Sequence, residues 1–165
     1  MLFDVGHGQG SFDWTVAEAG AQQGFWPDLI STDLHSGNVE GSAKDLCHVM
    51  SKFLALGMSF EQVIILAYAF PLRRNGKKRY LQIIGAVTEA PAKAINREAE
   101  LGSLQVGREA DITLLKIVPA EFTAEDSFGV GRCLKRAIAP IRVWRAGVEF
   151  PIEPRDLEKE VVGRL

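Results

Sequence analysis

The sequence has only two cysteines in 165 residues, Cys47 and Cys133. They are too few and too far apart for a disulfide framework or a Cys-x-x-Cys site, so a reducing cytosol is the expected compartment. Long hydrophobic runs are missing too. The longest, which starts at Val63, falls well short of the roughly 18 residues a membrane-spanning helix needs. The opening residues do not read as a signal peptide, because Asp4 and a glycine-rich run arrive before an apolar stretch can build. Neither sign of charge dominates. Nineteen Lys and Arg face 21 Asp and Glu, a net charge of −2, which leaves no sequence-wide basic field for nucleic acid or an anionic membrane. What is present suits one soluble globular domain: 47% of residues are hydrophobic and 24% charged, which excludes collagen-like, low-complexity and strongly disordered chains.

The order of elements predicts an α/β chain. Met1 to Val5 reads as a short buried strand, followed by a glycine-rich bend from Gly6 to Gly10. Trp14, Ala17 and Ala21 recur at helical spacing, and Gly24 is a suitable stop. Leu29 to Leu34 reads as a second strand, followed by a polar loop from His35 to Ser42. Asp45 is placed to cap a helix whose apolar stripe is Leu46, Val49, Met50, Phe53 and Leu54, with Gly57 ending it. Ser59 and Gln62 form a capping box for another helix. Strand and helix alternating in this way are the rhythm of a parallel sheet. Beyond residue 100 the character changes. Asp111 to Leu115 reads as a strand, and Ile141 and Val143 alternate with Arg142. A turn at Ala146-Gly147 then returns Val148 to Phe150 as a hairpin partner. Residues 151–165 form a charged tail, frayed or weakly helical.

One stretch breaks the pattern. Residues 65–84 carry five basic side chains (Arg73, Arg74, Lys77, Lys78 and Arg79) and no acidic one. Clustered cations of this kind concentrate positive potential and can meet an anion or nucleic acid, with a steep salt dependence. A solvated loop between two apolar flanks is the simpler reading.

Asp33 is the leading candidate for chemistry. It ends a predicted parallel strand, where β/α barrels build their active sites, and a carboxylate there can bind a divalent metal or take a proton from water. An Asp that merely caps the following loop is the competing reading. His7 occupies the corresponding place after the preceding strand, in a run whose glycines let the backbone approach a ligand. The Gly6-x-Gly8-x-Gly10 spacing is not a dinucleotide fingerprint, and no P-loop Lys-Ser/Thr follows it. His48, on the amphipathic helix, reads as packing, and Cys47 and Cys133 as inert thiols.

Several runs together resemble one family. They are Phe3-Asp4-Val5-Gly6-His7-Gly8 with Ser11-Phe12, Ile30-Ser31-Thr32-Asp33-Leu34-His35, Met50-Ser51-Lys52-Phe53-Leu54 with Gly57-Met58, Ala86-Val87-Thr88, Pro91-Ala92-Lys93-Ala94, Leu101-Gly102-Ser103-Leu104 with Gly107, and Ala110-Asp111-Ile112. The pattern resembles the dihydroorotase-like branch of the amidohydrolase superfamily, and most closely its deacetylase-type metallohydrolases. The resemblance implies the C-terminal part of a distorted TIM (β/α)8 barrel over residues 1–100, followed by a small β-sandwich segment over residues 101–150. It implies hydrolysis of non-peptide C–N bonds in N-acyl or cyclic amide substrates at a centre of one or two divalent ions, zinc foremost. Asp33 then matches the residue that binds metal and shuttles the proton to the leaving nitrogen. His7, His35 and Asn38 are expected to contact substrate.

The family's remaining metal ligands precede its seventh barrel strand, and Met1 falls within that strand. A closed barrel takes about 200 residues or more, so this polypeptide is expected to be inactive alone and to retain metal poorly. Against the family pattern, Glu61 to Ile64 joins smoothly to Gly85, and residues 65–84 read as an insert, from a retained intron or a gene-model error. The alternative is a non-catalytic truncated paralogue that serves as an interaction module. Either way, open barrel edges are expected to promote self-association.

Overall fold

The first two extended runs lie side by side and in parallel, joined through a helix. The computed structural model describes residues 1–36, 38, 40–59 and 82–152. Asp4 bridges Leu29 in parallel. The Val5 N–H donates to the Leu29 carbonyl (3.2 Å), His7 N–H to Ser31 (3.1 Å) and Gly8 N–H to Thr32 (2.9 Å). Gly6, at φ +40°, interrupts this ladder, so only a single bridge forms where two strands are expected. Met1 to Asp4 are exposed rather than buried, because among the described residues this run has a strand neighbour on one side only.

Between the two runs lies α1 (Trp14–Gln22). Asp13 caps it by accepting from the N–H groups of Thr15 and Val16, and the chain leaves its end through Gly24 at φ +71°. The second helix, α2 (Leu46–Ala55), starts where expected: the Asp45 carboxylate accepts from the His48 N–H. It ends before Gly57, at φ +94°. Two short helices follow, α3 (Gln82–Val87) and α4 (Glu89–Ala94). The Ile30 N–H donates to the Ala86 carbonyl (3.1 Å), which joins the second run to α3. Among the described residues no helix is long and apolar enough to cross a membrane.

The C-terminal part is one antiparallel sheet among the described residues, β1 (Ile112–Glu125), β2 (Gly131–Arg145) and β3 (Val148–Phe150), in the order β1-β2-β3. Ala146 (φ +48°) and Gly147 (φ +78°) form the expected tight turn between β2 and β3. The first two strands run well beyond their expected limits. Irregularities at Leu114/Leu115 and Pro119/Phe122 shift the register, and such bulges bend a sheet. On either side of the second bulge, Phe122, Ala124 and Leu134 beyond it and Ala137 and Ile138 before it are buried. They join Phe12, Trp14, Met50 and Phe53 in a single buried cluster, so the sheet and the βαβ part share one core.

Polar bonds reinforce that joint. The Trp14 indole N–H donates to the Ala124 carbonyl (3.0 Å), and the Ile138 N–H donates to Ser51 Oγ (2.9 Å). Asp126, in the β1–β2 turn, accepts from the N–H groups of Phe128 (2.8 Å), Val130 (2.9 Å) and Trp14 (3.2 Å). Burial pushes its carboxyl upward, but these three donors and the Lys52 charge outweigh burial and hold it below the usual carboxylate value.

The helix expected from the Ser59–Gln62 box and the tail from residue 153 onward lie outside the described residues. So do residues 65–81, and with them the whole basic block. The last three residues of the expected insert, Gln82 to Ile84, form the start of α3, and Ile83 is fully buried in the common core.

Candidate active site

The two loops that follow the parallel runs meet at Asp33. Its backbone is left-handed (φ +48°), an uncommon conformation for a residue other than glycine, and its side chain is exposed. Asn38 holds this conformation in place. Its Nδ2 donates to the Asp33 carbonyl (2.9 Å), and its Oδ1 accepts from the His35 N–H (2.8 Å). Only 3% of Asn38 is exposed, so its amide is spent on fixing the loop. His35 itself is exposed on that loop.

Gly8 forms the facing wall. A Cβ on Gly8 would lie 2.7 Å from Asp33 Oδ2, and Gly8 is itself at φ +45°. Only glycine satisfies both the turn and the close approach of the carboxylate.

His7 was expected to line a substrate pocket, but it is 0% exposed and its ring is turned into the core. There it stacks on Phe12 (4.8 Å between centroids), and its Nε2 lies 2.6 Å from Lys52 Nζ. Its Nδ1 lies 3.1 Å from the Gly8 carbonyl. Burial lowers the His7 pKa from 6.5 to about 4, with a further lowering from the Lys52 charge, against the opposing Gly8 carbonyl. What reaches Asp33 from this segment is therefore the backbone of Gly8, held by His7.

Lys52 was missed as a site residue. It lies on α2, also 0% exposed, and donates to the carbonyls of Ser42 (2.8 Å) and Glu125 (2.6 Å) as well as facing His7. Burial is the main cause that lowers its pKa from 10.5 to about 7, while the Asp126 charge opposes the shift. The signal for it was a lysine between Ser51 and Phe53 in the middle of an apolar stripe, where a surface lysine has no place.

Residues 14–140 match the amidohydrolase family. The chain belongs to that family. Among similar amidohydrolases, a deacetylase of Agrobacterium fabrum is 37% identical over 140 residues, which make up 85% of this chain and 29% of that protein. A deacetylase of Enterococcus faecalis is 34% identical over 148 residues, 89% of this chain and 34% of that one. The chain thus spans about a third of the length of the curated relatives it matches. Among solved structures, an adenine deaminase superposes with a TM-score of 0.74 at 33% identity, covering 92% of this chain and 36% of that one. A dihydroorotase superposes with a TM-score of 0.73 at 31% identity, covering 93% and 35%. The dihydroorotase-like, deacetylase-type resemblance is thereby upheld.

Proposed function

We propose that this amidohydrolase chain supplies the C-terminal barrel corner of a metal-dependent hydrolase acting on non-peptide C–N bonds, in an N-acyl or cyclic amide substrate. The observation that carries the reading is Asp33. Its carboxylate is exposed at the end of a parallel extended run, on a left-handed backbone clamped by Asn38, against a glycine that leaves it room. Strained backbone that its surroundings over-determine is characteristic of functional sites. Amide hydrolysis needs a proton carried from the attacking water to the leaving nitrogen, and a strand-end carboxylate is suited to that transfer. His35, exposed on the same loop, is placed to contact substrate, while His7 and Asn38 act on the corner by holding it.

The family's divalent metal is tested by the donor set. Among the described residues no group of three or more His, Cys, Asp or Glu can hold a metal ion. Asp33 offers one carboxylate, and His7, the nearest imidazole in the adjoining loop, faces Lys52. A catalytic zinc takes about three protein ligands, so the described residues do not fit the metal on their own. Asp33 fits as one donor of a set completed by other groups.

A chimera tests the reading. Replacing the matching C-terminal segment of the Agrobacterium deacetylase with this chain should preserve metal content and deacetylation, whereas deleting the segment should abolish both. A folded chimera with full metal content and no hydrolysis would refute the proposal.

A further inference from the structure

We infer that Lys52 is the positioning residue of the Asp33 corner, its ammonium fixing to β1 both loops that flank the carboxylate. The inference rests on the reading of Asp33 as the chemical group. Three facts carry it. First, the ammonium is wholly enclosed and has three N–H groups, and three acceptors surround it at 2.6 to 2.8 Å: His7 Nε2, the Ser42 carbonyl and the Glu125 carbonyl. Second, each acceptor belongs to a different segment. His7 is in the glycine-rich loop, Ser42 is at the far end of the loop that follows Asp33, and Glu125 is the last residue of β1. Third, the path from Lys52 to Asp33 is short. The His7 ring bonds the Gly8 carbonyl, the Gly8 N–H donates to Thr32 (2.9 Å), and Gly8 packs on the Asp33 carboxylate.

This arrangement fixes the His7 tautomer. With Lys52 donating to Nε2, the ring proton sits on Nδ1 and points to the Gly8 carbonyl. The Lys52 ammonium also lies 5.1 Å from the centre of the Phe12 ring, which stacks on His7. A second tie runs from the β1–β2 turn, where Ser127 Oγ donates to the His7 carbonyl (3.2 Å) and accepts from the Phe12 N–H (3.2 Å). The sheet therefore serves the corner as its anchor. A buried lysine used only for cohesion would need none of its bonds to end on the two loops beside Asp33.

Nitrogen-15 NMR of the full chain tests the proposal without any turnover. In the wild type between about pH 5 and about pH 6, where Lys52 is charged and His7 neutral, His7 should show Nδ1 protonated and Nε2 unprotonated, with the Lys52 ammonium protons in slow exchange. Either the opposite tautomer or a rapidly exchanging ammonium would overturn the inference. In Lys52→Met, the Gly8 carbonyl still holds the proton on Nδ1, and the Nε2 resonance should shift as that nitrogen loses its donor. Amide hydrogen exchange at Gly8 and Asn38 should accelerate about tenfold or more, as expected for loss of a charged hydrogen bond, while α1 and the β2–β3 hairpin keep wild-type rates. Unaltered exchange at Gly8 and Asn38 would overturn it. If Lys52→Met does not fold, the wild-type spectrum alone decides. Failure here leaves the role of Asp33 standing, because that role is read by turnover in the chimera.

Discussion

Acid should destabilise this chain through His7. The folded ring stays neutral down to about pH 4, while in the unfolded chain it takes a proton near the ordinary value of 6.5. Between those values the unfolded state binds the extra proton, so stability rises with pH. The contribution is fully present above about pH 6.5 and is lost as pH falls through about 4. Its size is about 1.4 kcal/mol for each pH step, or about 3 kcal/mol in all. Lys52 adds little slope in this window, because with a folded pKa of about 7 it is protonated in both states over most of it. The assay is urea denaturation between about pH 7 and about pH 4 for the wild type and for His7→Gln. Glutamine offers Lys52 an amide oxygen and does not titrate, and the carboxylates are common to both proteins. The wild type should therefore lose about 3 kcal/mol more than the variant on acidification. Two stability curves that run parallel would refute the argument that His7 is buried neutral.

Other substitutions probe the corner and its anchor. Gly8→Ala should cost about 1–2 kcal/mol for the left-handed backbone and push the Asp33 carboxylate aside, which denaturation together with turnover in the chimera would register. A loss below about 0.5 kcal/mol with unchanged turnover would show that the close approach is unimportant. Asn38→Ala removes both bonds that hold the 33–38 loop and should cost about 1–3 kcal/mol by urea denaturation. Asp126→Ala leaves three N–H groups of Phe128, Val130 and Trp14 without their acceptor. It should cost about 3 kcal/mol and loosen the β1–β2 turn, seen as faster amide exchange at Val130.

Much of this could be read in advance, for identifiable reasons. The caps at Asp45 and Gly57 and the Ala146-Gly147 turn are local, and local chemistry decides them. The exposed place of Asp33 at the end of an extended run agrees with its position in the sequence. The length of β1 and β2 was not, because Pro119, the charged Glu121, Lys135 and Arg136, and two bulges break the alternation that marks a strand. Met1 to Asp4 read as buried from sequence but are exposed, because an apolar run buries only where neighbours exist on both sides. His7 was noticed for its loop, but the loop does not say which way its ring turns. That direction is set by Lys52, 45 residues later in sequence and adjacent in space. Lys52 stands within a family-like motif, but its role is hidden in the sequence, since its partners are two carbonyls and a ring that no sequence pattern connects.

Turnover of the deacetylase chimera carrying Asp33→Asn tests the central claim most directly. Asparagine is nearly isosteric and tolerates a positive φ, so the fold should survive and only the carboxylate charge is removed. Hydrolysis should fall by about a hundredfold or more relative to the Asp33 chimera. Equal rates in the two folded chimeras would contradict the account.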